Sequence, residues 1–115
     1  MKKLHVLALS AGLLALVPFA TAAQGVNDAQ IAAIVVTANQ VDIDAGKLAE
    51  SKSANKEVKA FAQRMVADHA GVNKAATDLA TRLKVTPQPS GTSASLQKGG
   101  EDNLAALRKL SGAAF

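Results

Sequence analysis

The sequence predicts an all-α fold in which two long helices and a short third helix pack into a bundle. Apolar residues recur at three- and four-residue steps through two long segments, the spacing of one helix face. Hydrophobic residues make up 49% of the chain but aromatics only 3%, so alanine and aliphatic side chains supply the core. Such a composition favours closely packed helices over sheets. The 115 residues suffice for one domain, and without cysteine no disulfide can stabilise it.

Residues 1–23 are predicted to be a secretory signal peptide. The chain begins with two lysines after Met1, and an apolar run over 6–17 precedes a proline and a cluster of small residues. The run has signal-peptide length rather than membrane-spanning length, and cleavage is predicted after Ala22 or Ala23. The alternative is an uncleaved apolar anchor. Export predicts a periplasmic or outer-membrane-associated location in a Gram-negative bacterium.

Residues 24–85 are predicted to form a long helical hairpin. Asn27 or Asp28 can cap its first helix, which ends at about Lys52. The apolar residues that share one face of this helix are Ile31, Ile34, Val35, Ala38, Val41, Ala45, Leu48 and Ala49.

The second helix is predicted to begin after Asn55 and to end before Pro87. Asn55 is a good N-cap, and Glu57 places a negative charge in the first turn, where it favours the helix dipole. Phe61 and Met65 are interpreted as core residues. The full apolar face comprises Val58, Phe61, Ala62, Met65, Val66, Val72, Ala76, Leu79, Ala80 and Leu83.

The last part of the chain predicts a linker over 86–95, then a short third helix and a truncated end over 96–115. Ser93 or Ser95 can cap this helix, and the Gly99-Gly100 pair weakens it. Two long one-sided helices and a short third do not close a core. We therefore expect the open apolar face to be covered by missing chain, by a protein partner or by self-association.

Two segments resemble a known family. They are ANQVDIDAGKLA at 38–49 and NKEVKAFAQRMVADH at 55–69. Both are similar to the bacterial exported family called domain of unknown function 4142, often labelled a predicted outer membrane protein, and the resemblance covers 28–115. It implies a ferritin-like antiparallel four-helix bundle whose second helix pair contributes a further histidine. Because that second half has no counterpart here, we expect an incomplete bundle; the resemblance implies no activity.

One cluster of polar residues is a candidate site. His69 is the only histidine after the predicted signal and falls on the apolar face, with Asp68 beside it. An antiparallel hairpin can bring Asp42 or Asn39 of the first helix towards it, and Asn73 is a further polar core residue. One hypothesis is an Asp42, Asp68 and His69 cluster that binds a divalent metal or titrates near neutral pH. The alternative is that these groups bond to one another and fix the helix register.

Motifs for other chemistries are missing from the sequence. There is no Glu-x-x-His, which a ferritin-type di-iron centre needs, no Gly-x-Ser-x-Gly elbow and no glycine-rich phosphate loop. We therefore predict no enzymatic activity, and a divalent metal is the one cofactor candidate.

The charge of the chain predicts neither a nucleic-acid partner nor a membrane-surface partner. Two of the 13 basic side chains lie in the predicted signal, and nine side chains are acidic, so the remainder has a formal charge of +2. No membrane span is expected after cleavage.

The predicted function is a structural or interaction module of the envelope, linked by hypothesis to stress. The alternative is a metal- or small-ligand-binding bundle.

Overall fold

The all-α prediction is confirmed by a computed structural model, which describes residues 25–115. The prediction of a signal peptide over 1–23 lies outside the described residues. No strand occurs in the described part of the chain. The helices are α1 (Asp28–Lys52), α2 (Lys56–Arg82), α3 (Gly91–Arg108) and a final 3₁₀ turn (Gly112–Ala114).

Side-chain caps fix the starts of α1 and α2 where the sequence predicts them. The Asn27 side chain accepts a hydrogen bond from the Gln30 backbone, and the Gln30 side chain accepts one from the Asn27 backbone. The Asn55 side chain accepts bonds from the backbone N–H groups of Glu57 and Val58. These bonds satisfy N–H groups that have no partner inside a helix.

The end of α2 contains a lysine in left-handed backbone conformation. Lys84 has a φ of 55°, and the Val85 N–H donates to the Ala80 carbonyl at 2.8 Å. The Lys84 N–H donates to the Thr81 carbonyl at 3.1 Å. This pair of bonds is the Schellman motif, whose left-handed position is usually occupied by glycine.

Replacing Lys84 with glycine is expected to raise the free energy of unfolding by about 0.5–1 kcal/mol, because glycine adopts this conformation without the Cβ penalty. Urea unfolding followed by circular dichroism measures the change. The control is Lys74→Gly inside α2, which should lower the free energy of unfolding by about 1 kcal/mol. A loss of stability in Lys84→Gly would contradict the argument.

The third helix begins earlier than predicted. It starts at Gly91, so 91–95, expected to be linker, is helical. The Ser90 and Ser93 side chains each accept a hydrogen bond from the other's backbone N–H, at 3.2 and 2.8 Å. This capping box begins the helix. Gly100 lies within the helix and packs closely against Val41 of α1.

Helix α1 lies in the middle of the arrangement, with α2 and α3 both packed on it and, within 25–115, not on each other. The Lys52 ammonium donates a 2.7 Å hydrogen bond to the Arg108 carbonyl, so the carboxyl ends of α1 and α3 lie together. The Gln88 N–H donates to the Ala29 carbonyl at 2.9 Å and ties the linker to the start of α1. The order is therefore up, down, up, with α2 antiparallel to the other two helices.

The core is thin because small residues make the closest contacts. In the described chain, the buried hydrophobic residues are Ile43, Ala62 and Ala80. A Cβ at Gly46 would lie 2.8 Å from Cγ2 of Val66 and 3.2 Å from the Ala62 carbonyl oxygen, so the α1 and α2 backbones approach closely there.

Exposed polar pairs line the outer surface of α3. The Asp102 carboxylate accepts hydrogen bonds of 2.8 and 3.1 Å from the Lys98 ammonium. This hydrogen bonding and the attraction to the Asp102 charge hold the pKa of Lys98 above its ordinary value.

None of the described helices combines the length and the hydropathy that a membrane span requires.

Candidate functional site

A polar contact joins α1 and α2 near the middle of the hairpin. The Nε2 atom of His69 lies 3.2 Å from a carboxylate oxygen of Asp42. Both side chains are partly exposed, His69 by 26% and Asp42 by 48%, so water reaches the pair. The structure thus brings together two of the three residues predicted as metal ligands.

The second ring nitrogen of His69 also faces an oxygen. Its Nδ1 atom lies 2.9 Å from the Met65 carbonyl, one turn earlier in α2. A neutral imidazole has one N–H and a protonated imidazole has two. A ring with protons on both nitrogens can donate to Asp42 and to Met65, and a neutral ring can donate to one of the two oxygens.

The two asparagines predicted as polar core residues occupy different environments. Asn39 is buried, and its amide donates a 2.8 Å hydrogen bond to the Val35 carbonyl within α1. Asn73 lies one turn after His69 in α2, and its Oδ1 atom is buried without a hydrogen-bond partner among residues 25–115. Buried polar atoms normally have partners, so this Asn73 oxygen is an exception among the buried side-chain atoms of the described residues.

The structure does not bring Asp68 to this pair. Its carboxylate is exposed and lies 3.5 Å from Arg64 of the same helix, on the outer side of α2. Adjacent helical residues point about 100° apart, which separates Asp68 from His69. Across the described residues, no three His, Cys, Asp or Glu side chains are placed to hold a metal ion.

Exchanging Asp42 for Asn and His69 for Gln, singly and together, is expected to show a coupling of about 0.5–1 kcal/mol, because each single change removes one partner of the 3.2 Å contact. Urea unfolding of the four proteins measures the coupling. The control cycle, Asp42→Asn with Asp68→Asn, should show no coupling, because Asp68 lies beside Arg64 and away from Asp42. A coupling near zero in the cycle of Asp42 and His69 would contradict a stabilising contact between the helices.

A second candidate surface lies along the outside of α2. We call it the α2 stripe, and its residues are Val58, Phe61, Met65, Val72, Leu79 and Leu83. All except the half-buried Met65 are exposed, Phe61 by 65% and Leu83 by 63%. Phe61 is therefore not the core residue that the sequence predicts. Its neighbour Ala62 faces α1 instead.

The α2 stripe continues onto α1. Exposed Ile31 shares an open apolar groove of about 280 Å³ with Leu79 and Leu83. The apolar band of α2 is too wide for one neighbouring helix, so one part packs on α1 and the rest stays open. The expectation of an uncovered surface came from the sequence differently, from two long one-sided helices and a short third that do not close a core.

The comparison with protein families gives one result. The family model described as Domain of unknown function (DUF4142) matches residues 15–115. Neither a search of the curated proteins nor a search of the solved structures finds a match. The family match agrees with the resemblance of the two helical segments.

Proposed function

The chain belongs to the DUF4142 family, and from that premise we propose that it is an exported protein of the bacterial envelope that acts as an interaction module. The observation that supports this role is the exposed α2 stripe. Contiguous apolar surface of this kind marks protein contact sites in soluble proteins. The apolar run and small residues near the amino terminus support export to the periplasm or to the periplasmic side of the outer membrane.

Location can be tested with a tagged copy of the gene, and role with a strain that lacks the gene. We expect the tagged protein in the periplasmic or envelope fraction, with an intact mass that places cleavage after Ala22 or Ala23. Loss of the protein should weaken envelope integrity or survival of envelope stress. Cytoplasmic fractionation, or a deletion strain with unaltered envelope and survival, would overturn the proposal.

A matched pair of variants tests whether the role depends on the α2 stripe. Phe61→Lys places a charge on the stripe and should fail to restore the deletion strain. Gln63→Lys places the same charge on exposed α2 surface away from the stripe and should restore it. Both proteins should fold, because both positions are exposed. Equal restoration would contradict a role for the stripe.

A second candidate function is binding of a divalent metal or small ligand at Asp42 and His69. It rests on their 3.2 Å contact and on the buried Asn73 oxygen, which lies one turn after His69 in α2. Zinc, manganese and iron titrations should then lose affinity in His69→Ala and Asp42→Asn. Asp68→Asn is the control and should retain affinity, because Asp68 points away. Unchanged binding in His69→Ala would overturn the metal hypothesis.

A further inference from the structure

We infer that the α2 stripe is the contact surface between two copies of this chain, with α2 of one copy antiparallel to α2 of the other. The inference rests on the proposed function, since it names the partner of the interaction surface. The extent of the surface, its seven-residue spacing and the charges along its edge support this partner.

The exposed surface approaches the size that a dimer needs. Between Val58 and Leu83 the stripe is about 37 Å long at 1.5 Å per residue. At the end of the stripe that contains Leu79 and Leu83, Ile31 and the groove beside it widen the surface onto α1, to about 19 Å for two helices packed 8–10 Å apart. The area per copy therefore lies between about 400 Å² for a surface one helix wide and about 700 Å² for a surface two helices wide, and the upper figure approaches the roughly 800 Å² per partner of stable complexes.

The stripe has the spacing of a helix-pairing surface. Val58, Met65, Val72 and Leu79 follow one another at seven-residue steps, which keeps them on one seam. The preceding residue of each step forms a second row along the outer edge of that seam. The residues of this row are Glu57, Arg64, Gly71 and Asp78.

The charges of the second row favour the antiparallel orientation. In a parallel pair the two-fold axis runs along the helices and places the second rows of the two copies on opposite sides of the seam, so Arg64 and Asp78 do not meet. In an antiparallel pair centred on Gly71, Arg64 faces Asp78 of the other copy, and the two-fold axis generates this contact twice.

The side chains of this row are available for contacts between copies. Arg64 and Asp78 are exposed, and each has one oppositely charged neighbour within α2, Asp68 at 3.5 Å and Lys74 at 2.7 Å. Exposed pairs of this kind are weak, so the side chains can turn to a new partner. Gly71 has no Cβ and allows the two helices to approach at the axis.

A single cysteine at the proposed axis tests the pairing. The chain has no cysteine, so Gly71→Cys gives one thiol per copy. Outside its own helix backbone and chain neighbours, no described atom lies within 4 Å of a Cβ at Gly71 or at Gly99 of α3. A short bismaleimide should cross-link Gly71→Cys into dimers and leave the control Gly99→Cys monomeric. Equal cross-linking of both proteins, or none at Gly71→Cys, would overturn the inference.

Charge reversal tests the orientation. Arg64→Asp and Asp78→Arg should each weaken the dimer at least about tenfold, because each places like charges opposite each other. The double variant should restore the affinity to within about threefold of the original. Lys98→Asp on α3 is the control and should leave the affinity of the dimer unchanged. Failure of the double variant to recover would contradict the antiparallel register.

Native mass spectrometry of protein expressed from the full-length sequence separates this inference from the proposed function. A monomer throughout the micromolar range would overturn self-association and leave an envelope role with another partner. A dimer found in the cytoplasm would overturn the envelope role and leave the pairing of α2 with α2.

Discussion

Replacing Gly46 with leucine is expected to lower the free energy of unfolding by about 3 kcal/mol, because the new side chain would force α1 and α2 apart. Even a Cβ at this position would lie 2.8 Å from Cγ2 of Val66 and 3.2 Å from the Ala62 carbonyl oxygen. Valine is stiff about χ1 and the carbonyl belongs to a helix backbone, so neither can move away at low cost. Urea unfolding followed by circular dichroism measures the loss.

A graded series separates crowding from helix propensity. Gly46→Ala should lower the free energy of unfolding by about 1 kcal/mol, since crowding there exceeds the gain in helix propensity. Gly71→Ala is the control, because a Cβ there meets no atom of the described chain within 4 Å beyond its own helix backbone and neighbours. That variant should raise stability by about 0.5–1 kcal/mol. A stabilising Gly46→Ala would show that the hairpin is packed more loosely.

Replacing Gly100 with leucine is expected to detach α3 from α1 and to lower the free energy of unfolding by about 2 kcal/mol. A Cβ at Gly100 would lie 2.7 Å from Cγ2 and 2.9 Å from Cγ1 of Val41. Hydrogen exchange should show faster exchange in α3, with smaller changes in the α1–α2 hairpin.

The neighbouring glycine gives the matched control. Gly99 is exposed, and, apart from its own helix backbone and chain neighbours, the described residues place no atom within 4 Å of a Cβ there. Gly99→Leu should therefore raise the free energy of unfolding by about 0.5–1 kcal/mol through helix propensity alone. Opposite signs at adjacent glycines would confirm the packing of α3; equal effects would contradict it.

Local interactions explain why so much of the fold could be predicted from the sequence. The caps at Asn27 and Asn55 depend on side chains within three residues of the helix start, and the apolar spacing depends on the helix period alone. The ferritin-like arrangement, the signal peptide and the envelope location remain predictions, because they depend on chain or cellular context beyond the described residues.

The candidate site could be predicted only in part. Asp42 and His69 meet because antiparallel helices place these positions at one level, and the sequence spacing already allowed that contact. The same spacing also allowed Asp68 to contact the pair, and only the rotation of α2 about its axis keeps Asp68 away from it. Helix rotation is decided by packing, here by the contact of Gly46 with Ala62 and Val66.

The sequence by itself determined the helical class, the caps of α1 and α2 and the family, since each depends on residue types and on spacing along the chain. Only the tertiary structure decided that α1 is central, that Gly100 packs closely against Val41 and that Phe61 is exposed. The physical reason is that an apolar band is equally compatible with any neighbour that covers it. Which part is covered depends on where small residues let two backbones come close, a contact between distant parts of the chain.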